Sequence, residues 1–313
     1  MNKLIVLTGP TAVGKTDLSI KLAKAVNGEI ISADSIQVYK DMNIGSAKIT
    51  EEEMQGVPHH LIDVLSPEED FNVVCFKNMA DKAIKEIYER GHIPIITGGT
   101  GFYIQAVLND IDFKENEDDG YRAYLENLAA EKGEIYLHDM LKKVDEKSAK
   151  AIHFNNVKKV IRALEYYHQT GEKISEHNEA ERAKESPYNF AYFVLDCARE
   201  KLYKRIEKRV DIMIEQGLVD EVKSLLDKYN LTSDSVSLQG LGYKEIYAYL
   251  MGEISLDEAI YIIKRDTRHF AKRQLTWFRR EKDVIRIDKD VYDTDDKCLD
   301  FMLEILKEKG ITQ

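Results

Sequence analysis

The segment GPTAVGKT at 9–16 fits the pattern G-x-x-x-x-G-K-[S/T] at every fixed position. Before it lies a short aliphatic run, KLIVLT at 3–8, of the kind that forms a buried strand. After it, Leu18, Leu22, Ala23 and Val26 recur at helical spacing across 15–26. Strand, glycine loop, helix is the context in which this motif cradles phosphate, and a parallel strand that feeds a helix commits the chain to the α/β class. Gly9, Pro10, Thr11, Ala12, Val13, Gly14, Lys15 and Thr16 are therefore the expected phosphate loop. Its backbone N–H groups and the positive end of the following helix face the anion. Lys15 supplies a point charge, and Thr16 a hydroxyl suited to Mg²⁺.

The alternation continues with a strand-like run at 29–32, a helical stretch at 72–90 ending at Gly91, and HIPIIT at 92–97. After Phe113 the pattern changes. A polar, acidic stretch at 114–120 leads into helical segments near 121–132, 135–144 and 157–167, with no strand signal between them. FAYFVLD at 190–196 then returns as a core strand, and the remainder is helical apart from a short strand expected at 284–287. The expected fold is α/β: a P-loop parallel-sheet core with helices on both faces and a helical insertion domain. Its parts run 1–113, 114–187 and 188–313. No internal repeat suggests a solenoid.

With 313 residues, 43% hydrophobic and 32% charged, the chain has ample length for a core without disulfides or structural metal. No apolar run approaches the ~18 residues of a membrane span. The first residues lack a signal-peptide core, which makes the cytosol the expected compartment. Cys75, Cys197 and Cys298 are far apart and odd in number, and read as buried reduced thiols. A net charge of −11 argues against nucleic acid, but the charge is segregated. Residues 199–209 carry six basic and two acidic side chains and 264–282 eight and two, while acid collects at 51–53, 115–119 and 288–296. Segregated charge gives an acidic protein a local positive face.

The second basic segment lies on a helix that opens with the capping-box pattern SLDE at 255–258. Ile260, Ile263, Thr267, Phe270, Gln274 and Phe278 follow at steps of three and four, within roughly 80° of one another at ~100° per residue. Arg265, Arg268, Lys272 and Arg279 cluster in a separate arc. The first set is expected to pack. The second is expected to face a polyanion, against the alternative of a solvated charged face, because the stripe has few acidic partners.

A nucleotide triphosphatase usually ends an aliphatic strand in Asp to hold its metal, but here that strand runs ITGGTG at 96–101 with no carboxylate. The nearest acid is Asp34, just after the second strand. Its position leaves three roles open: holding Mg²⁺, acting as a general base, or capping a helix. GGTG at 98–101 is a second phosphate-approaching turn or a tight connection. His59 and His60 are adjacent, so their side chains diverge, and they read as loop or packing residues rather than metal ligands. Phe278 reads as core, and Trp277 is left open between core and base stacking.

GPTAVGKT at 9, SADSIQVYK at 32, PHHLID at 58, ITGGTGFY at 96, IRALEYY at 161, GLGYKE at 240 and AKRQLTWFRR at 271 together resemble the tRNA dimethylallyltransferase (tRNA isopentenyltransferase) family, over almost the whole chain. The resemblance implies that the loop, an ATP-binding motif by pattern, holds the diphosphate of dimethylallyl diphosphate, which explains the absent carboxylate. It implies prenyl transfer to N6 of the adenosine next to the anticodon of tRNA, with Mg²⁺ on Thr16 and Asp34 as general base. Arg205 is the implied diphosphate clamp, ahead of Arg209. The implied tRNA contacts are Asp34, Ser35, Ile36, Gln37, Thr100, Arg122, Lys158, Lys159, Val160, Ile161 and Arg162. Partners are then the anticodon stem-loop and the prenyl donor, with no membrane and a monomeric chain. The rival readings are an adenylate isopentenyltransferase, a P-loop kinase of a small metabolite, and a non-catalytic RNA-binding protein with a relic loop.

Overall fold

Six strands, all parallel, form one sheet in the order β3-β2-β4-β1-β5-β6. They are β1 (Asn2–Thr8), β2 (Gly28–Ala33), β3 (His59–His60), β4 (Ile93–Gly98), β5 (Tyr188–Asp196) and β6 (Val284–Asp288). A computed structural model describes residues 2–113 and 119–313. Of the expected polar, acidic stretch at 114–120, residues 114–118 lie outside the described residues.

Period-two alternation along each strand sends side chains to opposite faces, and both faces are buried. Leu4, Val6, Ile31, Ile96 and Val194 point one way. Ile5, Leu7, Ile30, Ile95, Phe193 and Ile287 point the other. The second face is covered by α1 (Lys15–Val26), whose Leu18 and Leu22 are fully buried. At about 1.5–3 kcal/mol for each large aliphatic side chain removed from water, these two fix the helix behind the phosphate loop. A single turn, α2 (Glu51–Met54), has a Thr50/Glu53 capping box. The first face is covered by α3 (Val73–Glu89), N-capped by Asn72, and α4 (Gly101–Leu108).

Asn109–Ser186 forms a second unit. It contains α5 (Tyr121–Lys132), α6 (Glu134–Val144), α7 (Glu146–Ala151), α8 (Val157–Thr170) and α9 (Ile174–Ala183). Leu125, Leu137, Leu141, Val160 and Leu164 make its core. The buried Asp145 carboxylate ties α7 to α9 by accepting bonds from the backbone N–H and hydroxyl of both Ser148 and Ser175.

After β5 come α10 (Arg199–Glu215), α11 (Leu218–Lys228), α12 (Tyr243–Leu250), α13 (Leu256–Phe278) and α14 (Asp295–Glu308). α11 and α12 pack on the first face and α14 on the second; α10 and α13 contribute to both clusters. Cys197 and Cys298 are buried as expected, whereas Cys75 is only half-buried. No described helix is long and apolar enough to cross a membrane.

Candidate active site

The carboxyl ends of β1, β2 and β4 meet at a cavity of about 400 Å³ lined by the phosphate loop. This edge is where open α/β sheets place their ligands. The N-cap of α1 is Gly14, which has no side chain to occupy the first N–H groups, and Gly14, Lys15 and Thr16 all line the cavity. Lys15 Nζ folds over the loop and donates to the carbonyls of Gly9 (3.0 Å) and Pro10 (2.9 Å). Burial, then the neighbouring charge of Arg209, push its pKa down to about 8, against the opposing pull of Asp34. Thr16, Asp17, Ser32 and Asp34 bring oxygen donors to the same cavity.

Asp34 follows the last residue of β2. Its Oδ1 accepts from the backbone N–H of Ile36 (2.8 Å) and Gln37 (3.2 Å), which closes a tight turn. Oδ2 has no hydrogen bond among the described residues. No helix begins at Asp34, so it closes a turn rather than capping a helix, and that turn occupies one oxygen only. Gln37 Oε1 accepts from Ser32 Oγ, and its Nε2 donates to the carbonyls of Ser46 and Ala47.

A second cavity of about 430 Å³ adjoins the first and shares Thr11, Asp34, Ser46, Gly99, Arg209 and Phe270 with it. Its other walls are largely apolar and include Ile36, Phe71, Ile206, Met213 and Ile263, with Ser35 and Thr100 at its edge. Arg205 and Arg209, one turn apart on α10, both line the first cavity. Arg205 is exposed, whereas Arg209 is half-buried, reaches the seam and donates from Nη1 to Thr11 Oγ1 at 3.3 Å. Burial lowers its pKa and the charge of Asp34 opposes this.

Gln274 was expected in the packing stripe of α13, and its side chain is buried there. The structure adds what spacing could not give. Oε1 accepts from Thr11 N (2.9 Å) and Nε2 donates to Gly99 O (3.0 Å), so one side chain joins the phosphate loop to the GGTG turn. Gly98 in that turn has φ 159°, and a Cβ there would lie 2.3 Å from Ala33 O. The sequence signal was a lone amide in an otherwise packing face. Thr267 and Phe270 depart from that expectation: both line the second cavity instead of packing fully.

The basic stripe is also redrawn. Arg265 pairs with Asp266, and Arg268 with Glu207 at 2.6 Å, so the premise of missing acidic partners fails for these two. Lys272, Arg279 and Arg280 carry no ion pair among the described residues. A shallow surface on α13 gathers His269, Lys272, Arg273, Thr276, Trp277 and Arg280. Trp277 is half-buried over Gly101 and meets Phe102 edge-on, and its Nε1 has no hydrogen-bond partner among the described residues.

His59 and His60 do diverge. His59 faces the first cavity and bonds Val57 O, while His60 turns to the buried Glu29. Within the insertion unit Arg122 makes two bonds to Glu165, which Arg162 also approaches. Val160 and Ile161 are core residues of that unit, so in 158–162 only Lys158, Lys159 and Arg162 present side chains to solvent.

Residues 37–281 match the model of the IPP transferase family. The chain belongs to that family. Over 312 residues, 99% of both chains, it is 61% identical to the tRNA dimethylallyltransferase of Lachnoclostridium phytofermentans. The full-length tRNA isopentenylpyrophosphate transferase of Bacillus halodurans, a crystal structure, is 46% identical with a TM-score of 0.74, covering 99% of this chain and 98% of that one. A eukaryotic dimethylallyltransferase crystallised acting on tRNA is 32% identical with a TM-score of 0.79, covering 92% and 74%. For an IPP transferase, the paired cavities and the Asp34 carboxylate oxygen left without a hydrogen bond among the described residues at their seam are the features on which chemistry must be built.

Proposed function

We propose that this chain transfers a dimethylallyl group from dimethylallyl diphosphate to N6 of the adenosine next to the anticodon in tRNA, releasing pyrophosphate. The observation that carries the reading is Asp34 at the seam: one oxygen is held by two backbone amides, the other has no hydrogen bond among the described residues, and the residue lines both cavities within electrostatic reach of Lys15 and Arg209. The diphosphate occupies the polar cavity, and the apolar one encloses the allyl chain and the adenine. As the C1–O bond breaks, the electron pair leaves with pyrophosphate. The loop N–H groups, Lys15 and Arg209 are fixed in advance around that growing charge. N6 bonds to C1, and its proton passes to Asp34 Oδ2. Arg209, nearer the seam than Arg205, is the inner clamp.

Mg²⁺ fits this donor set. Among the described residues no cluster of three or more His, Cys, Asp or Glu side chains exists to hold a metal. Mg²⁺ is instead commonly held by one or two protein oxygens with substrate phosphates and water completing its shell. Thr16 would be the protein ligand, and a bound Mg²⁺ would supply positive charge against the leaving diphosphate. The acceptor adenine must leave the anticodon-loop stack at a cost of a few kcal/mol, which requires grip on neighbouring nucleotides. Asp34, Ser35, Ile36, Gln37 and Thr100 supply it at the cavity. Arg122, Lys158, Lys159 and Arg162 supply it from the insertion, with α13 adding phosphate contacts. One copy of the chain suffices, and the reaction belongs in the cytoplasm with its acceptor.

The test is incubation with labelled dimethylallyl diphosphate and Mg²⁺, offering AMP, unmodified tRNA or an anticodon stem-loop in parallel. Label should enter the RNAs and not AMP, and ATP should be neither needed nor hydrolysed. Equal transfer to AMP would favour the adenylate enzyme, and robust ATP turnover the kinase reading.

A further inference from the structure

Four consecutive backbone N–H groups, those of Asn43, Ile44, Gly45 and Ser46, converge on two side chains distant in sequence. Glu221, in the first turn of α11, accepts from Asn43 N (3.0 Å) and Ile44 N (2.7 Å) on Oε2 and from Gly45 N (3.1 Å) on Oε1. Tyr243, fully buried at the start of α12, donates its hydroxyl to Glu221 Oε1 (2.8 Å) and accepts from Ser46 N (3.2 Å). The approach is close: a Cβ on Gly45 would lie 2.6 Å from the Tyr243 ring. Converging amides of this kind suit an anion, and here the anion is the protein's own carboxylate.

The loop held in this way is a wall of both cavities. Gly45 and Ser46 line the second, Ser46 and Ala47 the first. Ala47 sits at φ 46°, a left-handed conformation that persists where the surroundings over-determine it. The carbonyls of Ser46 and Ala47 receive Gln37 Nε2, and Gln37 N is one of the two amides that fix Asp34. A continuous set of hydrogen bonds thus runs from Glu221 through the 43–47 loop and Gln37 to the carboxylate at the seam.

We propose that Glu221, with Tyr243, is a positioning residue for prenyl transfer: it sets the 43–47 wall and, through Gln37, the placement of Asp34. It touches neither substrate. The phosphate loop, which supplies the N–H donors for the diphosphate, is held separately by Gln274, so diphosphate affinity should depend little on this pair although Ser46 and Ala47 border that cavity.

The proposal rests on the site reading above, whose own failure shows in a different place, an Asp34→Asn protein that keeps the wild-type rate. For Glu221 the measurement is single-turnover transfer at saturating donor and tRNA, beside pyrophosphate binding by calorimetry. A displacement of about 1 Å costs up to about a hundredfold in rate. Glu221→Gln, which sets an amide N–H₂ against the loop's N–H groups, should slow transfer about tenfold to a hundredfold while pyrophosphate affinity stays within about twofold. Tyr243→Phe should slow it less, by about threefold to tenfold. Gln37→Ala combined with Glu221→Gln should lose much less than the product of the two single losses, because both act on one path. A folded Glu221→Gln at the wild-type rate, multiplicative losses in the double variant, or a fall in pyrophosphate affinity matching the fall in rate would each overturn it. If Glu221→Gln does not fold, an unchanged rate in Tyr243→Phe overturns it and a slowed rate supports it.

Discussion

Strand β2 carries a carboxylate near each end, and the two are treated differently by the fold. Glu29, near the start of the strand, is 1% exposed and fully partnered. Arg90 donates two bonds at 2.8 Å, and His60 and His92 each lie 2.6 Å from a carboxylate oxygen. The Arg90 guanidinium, foremost among these, holds its pKa down to about 2 against the cost of burial. Asp34, one residue past the strand, spends one oxygen on its turn, leaves the other without a hydrogen bond among the described residues, and lines both cavities. Both ends needed a negative charge, but only one left it unsatisfied. A charge whose partners are all in the protein holds structure together, and one with an open valence is available to a substrate.

The largest effect that tests this contrast is at Asp34. Asp34→Asn keeps the turn's acceptor and removes the base, so single-turnover transfer should fall by about 10²- to 10⁴-fold, with thermal stability and tRNA affinity little changed. A loss under about tenfold would remove Asp34 from the base role. Glu29→Gln should show the reverse: transfer by the folded protein within about twofold of wild type, and stability lower by about 2–3 kcal/mol, moderated because Arg90 and the histidines are partly exposed. The pH dependence follows from the direction of the shift. A carboxylate with a depressed folded pKa contributes stability that is complete above its ordinary value near 4.5 and is lost as pH falls towards about 2. Acid unfolding of wild type should carry that loss, and Glu29→Gln should lack it.

The same contrast explains what the sequence could and could not disclose. The phosphate loop, the five longer strands and α1 were legible because each is set by local spacing, and α1 begins and ends where periodicity places it. β3 was missed because two residues, His59 and His60, make no period. α7 and α9 were missed because each is short or poor in apolar residues. Asp34 was visible as a candidate, but its two-oxygen division of labour depends on a turn. Glu207, Asp266, Gln274 and Glu221 could not be assigned their work from spacing, since three of them meet partners 61 or more residues away. Asp266 neighbours Arg265 in the chain, and only the rotamer shows that they pair.

Lys15 extends the comparison to a cation held short of partners. Among the described residues its ammonium rests on two carbonyls and no carboxylate, with a pKa of about 8 because burial and Arg209 disfavour its charge. A lysine whose folded value lies below its ordinary 10.5 destabilises the fold while charged, so stability from this group rises between about 8 and 10.5. Binding runs the other way, since the diphosphate selects the charged form. Affinity for dimethylallyl diphosphate without acceptor should therefore weaken above pH 8, by up to about tenfold per pH unit. A dissociation constant flat from pH 7 to 9.5 would show that Lys15 is already fully charged in the free protein.

The smallest effect is the most discriminating, because it divides paired from unpaired charge on a single helix. Arg265 and Arg268 of α13 are engaged by Asp266 and Glu207, whereas Lys272 and, just past the helix end, Arg280 have no acidic partner among the described residues. Only an unpaired cation displaces a counterion from RNA without first breaking an internal pair. Replacing Lys272 and Arg280 with Ala should weaken binding of all tRNAs alike and make the slope of log K against log salt shallower by about 0.7 per lost contact on single-stranded loop, or about 0.9 on duplex. Replacing Arg265 and Arg268 should leave that slope at its wild-type value, although the loss of the α10–α13 pair lowers stability slightly. Both double variants remove two positive charges, so a general effect of net charge would move both slopes equally. Equal slopes in the two variants would mean that pairing does not decide which charges meet the RNA, and the distinction drawn from Glu29 and Asp34 would then hold only inside the cavity.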